Sequence, residues 1–342
     1  MLTPSETIPS HLSKHKPVYS NSKKLRRQYN RLWLKEHFLR TAGFSVSTTE
    51  SRRLALFQKL SALAIAQNGQ REHVPVIDDL TPPEFHQRFV ATDTPVVFKG
   101  KADAWKSAKW TAASLARVAS QETVRLLAVA PGEAKGKPGE GRDVDYQQIA
   151  KSMKEGGDLY ARFSGLLHQR PELIDDLDLT WFRSMSGHGN ETWGFFMGGK
   201  GTATGLHSSI APNLFYQIRG KKRWYIYPAW TAPFFKPEVK GSPYFYSYVD
   251  VNDSKNWPIA EAAPGWYADL NPGDILFVPS FAWHQVHNKT ASIAVGYRWM
   301  SLKQGWRASW IQTLLAATCS NPPLWRAKDH KDLPTLLDSI DY

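Results

Sequence analysis

Residues 202–224 read TATGLHSSIAPNLFYQIRGKKRW, and the fold of the chain is decided there. The stretch breaks into short runs of alternating or apolar residues, 205–209, 213–218 and 222 onward. They are separated by Ala211-Pro212 and by Arg219-Gly220, a pair suited to a tight turn. Side chains two apart on a strand share a face, so His207 and Ser209 are expected to point the same way, as are Lys222, Trp224 and Ile226. A histidine and a lysine projecting inward from apolar strands are costly unless they have a task.

Outward from this stretch the second half of the chain continues as short strands with turn signals, the pattern of an antiparallel barrel or sandwich. They are expected at 193–197, 205–209, 213–218, 222–227, 266–270, 274–278, 282–287 and 292–298, with a turn at Asn271-Pro272-Gly273. Between them, residues 228–258 form a long aromatic and proline-rich insertion, read as a lid or substrate wall or else as surface packing.

The quoted stretch resembles the first metal-binding strand of the JmjC and cupin-like 2-oxoglutarate oxygenases. In that family H-x-D is followed by an Asn and by Gln-Ile-x-Gly-x-Lys-x-Trp, matched here by His207, Asn213, Gln217, Ile218, Gly220, Lys222 and Trp224. The second histidine is matched by His284 in DILFVPSFAWHQV, 77 residues after His207. The resemblance implies a mainly β fold with flanking helices, a double-stranded β-helix (cupin or jelly-roll) barrel. It implies Fe(II) as metal, 2-oxoglutarate as co-substrate, and hydroxylation of a protein, peptide or small-molecule side chain.

By matched position, His207 and His284 are the metal ligands. Lys222 and Thr204 hold the co-substrate with Asn213 and Tyr160 as further contacts, and Trp224 and Trp283 line a substrate pocket. The chain departs from the pattern at Ser209, where the family carries its carboxylate, and at Gly296, where relatives often carry an Asn near an aromatic strand end. Two His and one carboxylate leave three positions open on Fe(II). A neutral hydroxyl is a poor replacement for the carboxylate, so three outcomes stay open at position 209. Water or another carboxylate fills the gap, a halide fills it as in halogenases of the wider superfamily, or the metal is lost and the barrel serves binding or scaffolding.

The flanks complete the plan. Apolar spacing predicts helices over 23–40 and 50–67 in a basic N-terminal extension, 1–72, and helices again in a C-terminal segment, 301–342. The barrel domain is placed at 73–300, opening with PVVFKG at 95–100 and helices near Pro82 and Thr111. In this family C-terminal helices often make a dimer, so a homodimer is implied.

Across 342 residues the net charge is +12, and residues 1–50 hold nine Lys or Arg against three Glu. Such an arm suits RNA or an acidic partner, the alternative being a solvated basic face. One cysteine, Cys319, excludes an internal disulfide and points to a reducing, cytoplasmic setting. No apolar run reaches a membrane span, so no membrane role is expected. The loop at 131–143 is rich in Gly, Pro and charge; its GKPGEG lacks the Gly-Lys-Ser/Thr of a phosphate loop. His188 and His287 are read as ordinary histidines.

Overall fold

Alternation and turns produce two facing sheets in the computed structural model, which describes residues 22–67, 69–126, 142–187, 191–323 and 326. Strands are β1 Arg71–His73, β2 Val76–Ile77, β3 Val96–Phe98, β4 Thr123–Leu126, β5 Arg142–Asp145, β6 Tyr160–Ser164 and β7 Glu191–Gly198. They continue as β8 Ala203–Ser208, β9 Asn213–Arg219, β10 Lys222–Tyr227, β11 Phe245–Tyr246, β12 Gly265–Leu270, β13 Ile275–Val278, β14 Trp283–Asn288 and β15 Ser292–Trp299. One sheet runs β1-β12-β10-β14-β8-β11 and the other β2-β3-β13-β9-β15-β7-β6, while β4 and β5 form a separate pair. Strands β7–β10 alternate between the two sheets and so do β12–β15, with β10 and β12 neighbours in one sheet, which gives the jelly-roll order.

The second-half strands pair with one another antiparallel, as expected, and the sheets become mixed only where β1 joins β12 and β2 joins β3 in parallel. Pro75 lies between β1 and β2. Proline has no N–H to continue a ladder, so the chain crosses there from one sheet to the other. The turn at Gly220 is obligatory for glycine: φ is +72°, and a Cβ would lie 2.0 Å from the Ala291 carbonyl oxygen.

The longer helices are α1 Lys23–Thr41, α2 Ser47–Gln67, α3 Ala112–Val118, α4 Tyr146–Glu155, α5 Leu179–Ser186 and α6 Leu302–Ala317. Thr111 and Asp145 cap α3 and α4 by accepting the amides of Ser114 and Gln148 at 3.0 and 2.7 Å. Near Pro82 a single α turn, Pro82–Phe85, widens into a π-helical turn, His86–Val90. The expected N-terminal segment before residue 22, most of the loop at 131–143, His188 and a helix at 333–340 lie outside the described residues.

Three apolar layers result. One covers the outer face of the β7-β15-β9-β13 strands and includes α3 to α5 residues such as Leu115, Ile149 and Phe182. A second, inside the barrel, gathers Phe163, Phe196, Phe215, Trp224 and Val286. The third joins α1, α2 and α6 to the 228–258 insertion and to Ile259 and Ala260 just after it. That insertion is packed rather than open: Phe234, Phe235 and Phe245 are buried, and Trp33 of α1 meets Phe245 edge-on at 5.8 Å. Arg53 clamps the layer, pairing with Glu36 at 2.7 Å and donating to the Pro237 carbonyl at 3.0 Å. Strand β11, within the insertion, adds to the sheet edge beside β8, with Tyr246 opposite His207. Among the described residues no helix is long and apolar enough to cross a membrane.

Candidate functional site

His207 and His284 face each other from adjacent antiparallel strands, directly opposite in register, with ring centroids 4.1 Å apart. Each Nδ1 lies 2.8 Å from the carbonyl of the residue two before it, Gly205 and Ala282 respectively. A carbonyl only accepts, so Nδ1 carries the proton in both rings and each Nε2 keeps its lone pair. The Nε2 of His207 is buried and has no partner among the described residues. Burial holds the His207 imidazole well below its usual pKa, with His284 and then Arg298 and Arg162 adding to the effect against its bond to Gly205. His284 is pulled down to about 4, again by burial first and Arg298 last.

A small cavity, partly open to solvent, lies over this pair and is lined by Tyr160, Phe163, Thr204, Asn213, Trp224 and Arg298 among others. Thr204 and His207 share it although they are three apart, because the β8/β14 register shifts between His284 and Val286. The extra residue in β8 turns two side chains of opposite parity to one face. Trp224 stacks on His284 at 5.5 Å, and Tyr244 of the insertion stacks on His207 at 5.2 Å.

Lys222 sits deeper and is wholly buried. Its ammonium donates to the Tyr160 hydroxyl at 3.0 Å and to Asn288 Oδ1, and it lies 5.0–5.9 Å from the rings of Tyr160, Phe196 and Phe215. Burial lowers its pKa, with Tyr160 acting the other way. Asn213 lines the cavity with Oδ1 unpartnered among the described residues, and Gly296 gives it room: a Cβ there would stand 3.0 Å from that oxygen.

Two expected residues are elsewhere. Trp283 is next to His284 on the strand and so faces the other way, packed with Phe235 in the outer layer; it is not part of the cavity wall. Ser209 lies just past the end of β8, outside the cavity lining, where alternation no longer applies. Its hydroxyl reaches only the Ala211 carbonyl, at 3.5 Å, and its own carbonyl accepts from the Phe281 amide.

Three participants escaped the sequence reading. Arg298 ends the inward row Ala294, Gly296, Arg298 of β15, opposite Asn213. A charge at an inward position was its signal. Phe163 holds a left-handed backbone, φ 57°, beside a bulge in β6 that aims its ring at His207, 5.6 Å away. Tyr244 belongs to the insertion, where no periodicity marks a side chain's direction.

The sequence comparison agrees with this architecture. Residues 82–304 match the family described as Cupin-like domain. The chain belongs to the cupin-like, JmjC-type family. This is a family of 2-oxoglutarate-type oxygenases. Relatives include HSPB1-associated protein 1 of Bos taurus, 23% identical over 70% of this chain and 54% of that protein. Lysine-specific demethylase 8 of Xenopus tropicalis is 25% identical over 72% of this chain and 57% of its own. Human tRNA wybutosine-synthesizing protein 5 is 22% identical over 68% and 80%. The chain thus spans about half the length of the first two.

Fe(II), which the family implies, can be tested against these residues. The two Nε2 lone pairs suit a metal, and their carbonyl-bonded Nδ1 atoms orient them for one. The remainder of the donor set does not fit. Among the described residues no group of three His, Cys, Asp or Glu could hold a metal ion. The charged side chain on the cavity wall is a cation, Arg298. A unit positive charge within about 6 Å of a divalent ion costs about 5 kcal/mol at an effective dielectric of about 20.

Proposed function

We propose that this cupin-like protein binds an organic dicarboxylate, 2-oxoglutarate or a close analogue of it, in its barrel, and that binding needs no metal ion. The observation that carries this reading is Lys222, an ammonium with no exposed surface whose hydrogen-bond partners, Tyr160 and Asn288, are both neutral. A buried cation among neutral groups is paired once an anion arrives. Tyr160 lines the cavity and touches the ammonium, so a carboxylate entering there meets the phenol first and then Lys222. Thr204 and Asn213 offer the neighbouring polar contacts, as the family's co-substrate position implies.

The second reading is Fe(II)-dependent hydroxylation with 2-oxoglutarate as co-substrate. The shared tautomer of His207 and His284 favours it, and the names of relatives point to protein or RNA substrates. The partner in either case is a protein, peptide or small molecule. The exposed basic stripe Lys23, Arg27, Arg31 and Lys35, four residues apart along α1, supports an additional acidic or RNA partner.

Calorimetry with 2-oxoglutarate separates the two. Binding in EDTA, with no succinate released when Fe(II) and ascorbate are supplied, is the expected result. Binding and succinate only with Fe(II) would overturn it in favour of the hydroxylase, and no binding under either condition would overturn both.

A further inference from the structure

Arg298 has no task in a metal centre, yet it is the charged member of the cavity wall beside the imidazole pair. Its guanidinium lies over the Phe163 ring at 4.9 Å, the same ring that meets His207 at 5.6 Å. Among the described residues no carboxylate and no hydrogen-bond acceptor is paired with it. Burial lowers its pKa to about 10, with Tyr244 opposing, so it remains charged at neutral pH. Five N–H donors in a planar fork therefore face a cavity whose own acids are absent among the described residues.

The neighbouring unpaired atoms are of the opposite kind. His207 Nε2 and Asn213 Oδ1 are buried acceptors without a donor. Asn213 stands directly across from Arg298 on β9 and β15. The carbonyl bonds at Nδ1 commit both imidazoles to accepting at Nε2. A carboxylate alone would satisfy Arg298 and press its oxygens on two lone pairs. A 2-oxo acid would do the same with its ketone. A carboxylate with a hydroxyl on the adjacent carbon satisfies both sets at once, its oxygens accepting from the guanidinium and its O–H donating to Nε2.

We infer that Arg298, with His207, His284 and Asn213, forms a subsite for the 2-hydroxy-carboxylate end of the ligand. This rests on the dicarboxylate reading above, with Lys222 taking the distal carboxylate. Lys222 is four residues along β10 from Ile226, the residue opposite His284, so the two subsites are about 13 Å apart at the backbone, and the inward side chains shorten the gap. A five-carbon chain is of the class that would bridge them.

The test is calorimetry in EDTA with 2-hydroxyglutarate, 2-oxoglutarate and glutarate against the wild type, Arg298→Leu, Arg298→Lys and Lys222→Met. The hydroxy acid is expected to bind at least tenfold tighter than the other two. Arg298→Leu should erase that preference and weaken the hydroxy acid by about 30-fold, and Arg298→Lys should restore part of it. Equal affinities for the three ligands, or no response to Arg298→Leu while Lys222→Met weakens all three, would overturn the subsite and leave the dicarboxylate reading intact. If none of the three binds the wild type, the dicarboxylate reading itself fails. If Mn(II) in place of EDTA tightens 2-oxoglutarate beyond the hydroxy acid, the imidazoles serve a metal and the inference is wrong.

Discussion

Replacing Lys222 by Met should separate stability from affinity, because this ammonium is held by groups that barely repay its burial. In the free protein it makes two hydrogen bonds, to the Tyr160 hydroxyl and Asn288 Oδ1, each about 1.5–3 kcal/mol for a charged donor. The aromatic rings around it add about 0.5–2 kcal/mol apiece. Against these stands a desolvation penalty of several kcal/mol for an ammonium with no exposed surface.

A methionine of similar shape removes both sides of the balance. It strands little: Asn288 Oδ1 still accepts from Ser292 Oγ at 2.9 Å, and Tyr160 lines a cavity that is partly open to solvent. The free variant should therefore lie within about 2 kcal/mol of the wild type, where breaking a structural buried pair costs about 3–5 kcal/mol. Affinity for 2-oxoglutarate should fall by about 100-fold, the equivalent of one charge-assisted pair of about 2–3 kcal/mol. Chemical denaturation and calorimetry on the same preparation measure both. A variant destabilised by more than about 3 kcal/mol but binding the ligand within threefold of wild type would refute the reasoning, and Lys222 would then be a structural residue.

Ser209→Asp should leave Mn(II) affinity unchanged within about threefold, because position 209 lies past the end of β8 and outside the cavity lining; a gain of about tenfold or more would mean that the new carboxylate reaches the imidazoles. Folding stability should fall as pH drops from about 6.5 to about 4. The unfolded imidazole of His284 takes up a proton in that window while the folded one, with its pKa near 4, does not. The loss should reach roughly 3 kcal/mol by pH 4, and His284→Asn should flatten the slope in denaturation midpoints. Gln at Lys23, Arg27, Arg31 and Lys35 together should weaken RNA retention and reduce its salt dependence; identical elution from a polyanion column would leave α1 as a solvated face. Leu302, Trp306 and Trp310 are exposed apolar residues, 62, 58 and 50% accessible, that form a stripe crossing the break in α6 at Ser309. If that stripe joins two copies, Trp306→Glu with Trp310→Glu should halve the mass seen by light scattering, and an unchanged mass places any dimer contact elsewhere.

How far the barrel could be read depended on how regular the backbone is. Strand β10 is regular throughout and β15 stays in step with β9 from Ala294 onward, so period two places Lys222, Trp224 and Ile226 inward, and the same count from Ala294 reaches Arg298. Where the ladder is irregular, parity fails as a guide. The bulge in β8 lets Thr204 and His207 share the cavity across an odd spacing, and the end of β8 removes Ser209 from the face that His207 occupies. Trp283 fails for the opposite reason: β14 is regular there, and a residue adjacent to an inward His284 must look outward.

The two departures of the motif then acquire a common physical sense. With no carboxylate in the cavity wall, the imidazole pair lacks the negative charge that would hold a divalent ion beside Arg298. With no side chain at 296, Asn213 keeps its place beside that same arginine. A cavity whose wall carries a guanidinium and no carboxylate attracts anions rather than cations. Its remaining lone pairs, on two imidazoles and one amide, then ask the incoming anion for a proton donor.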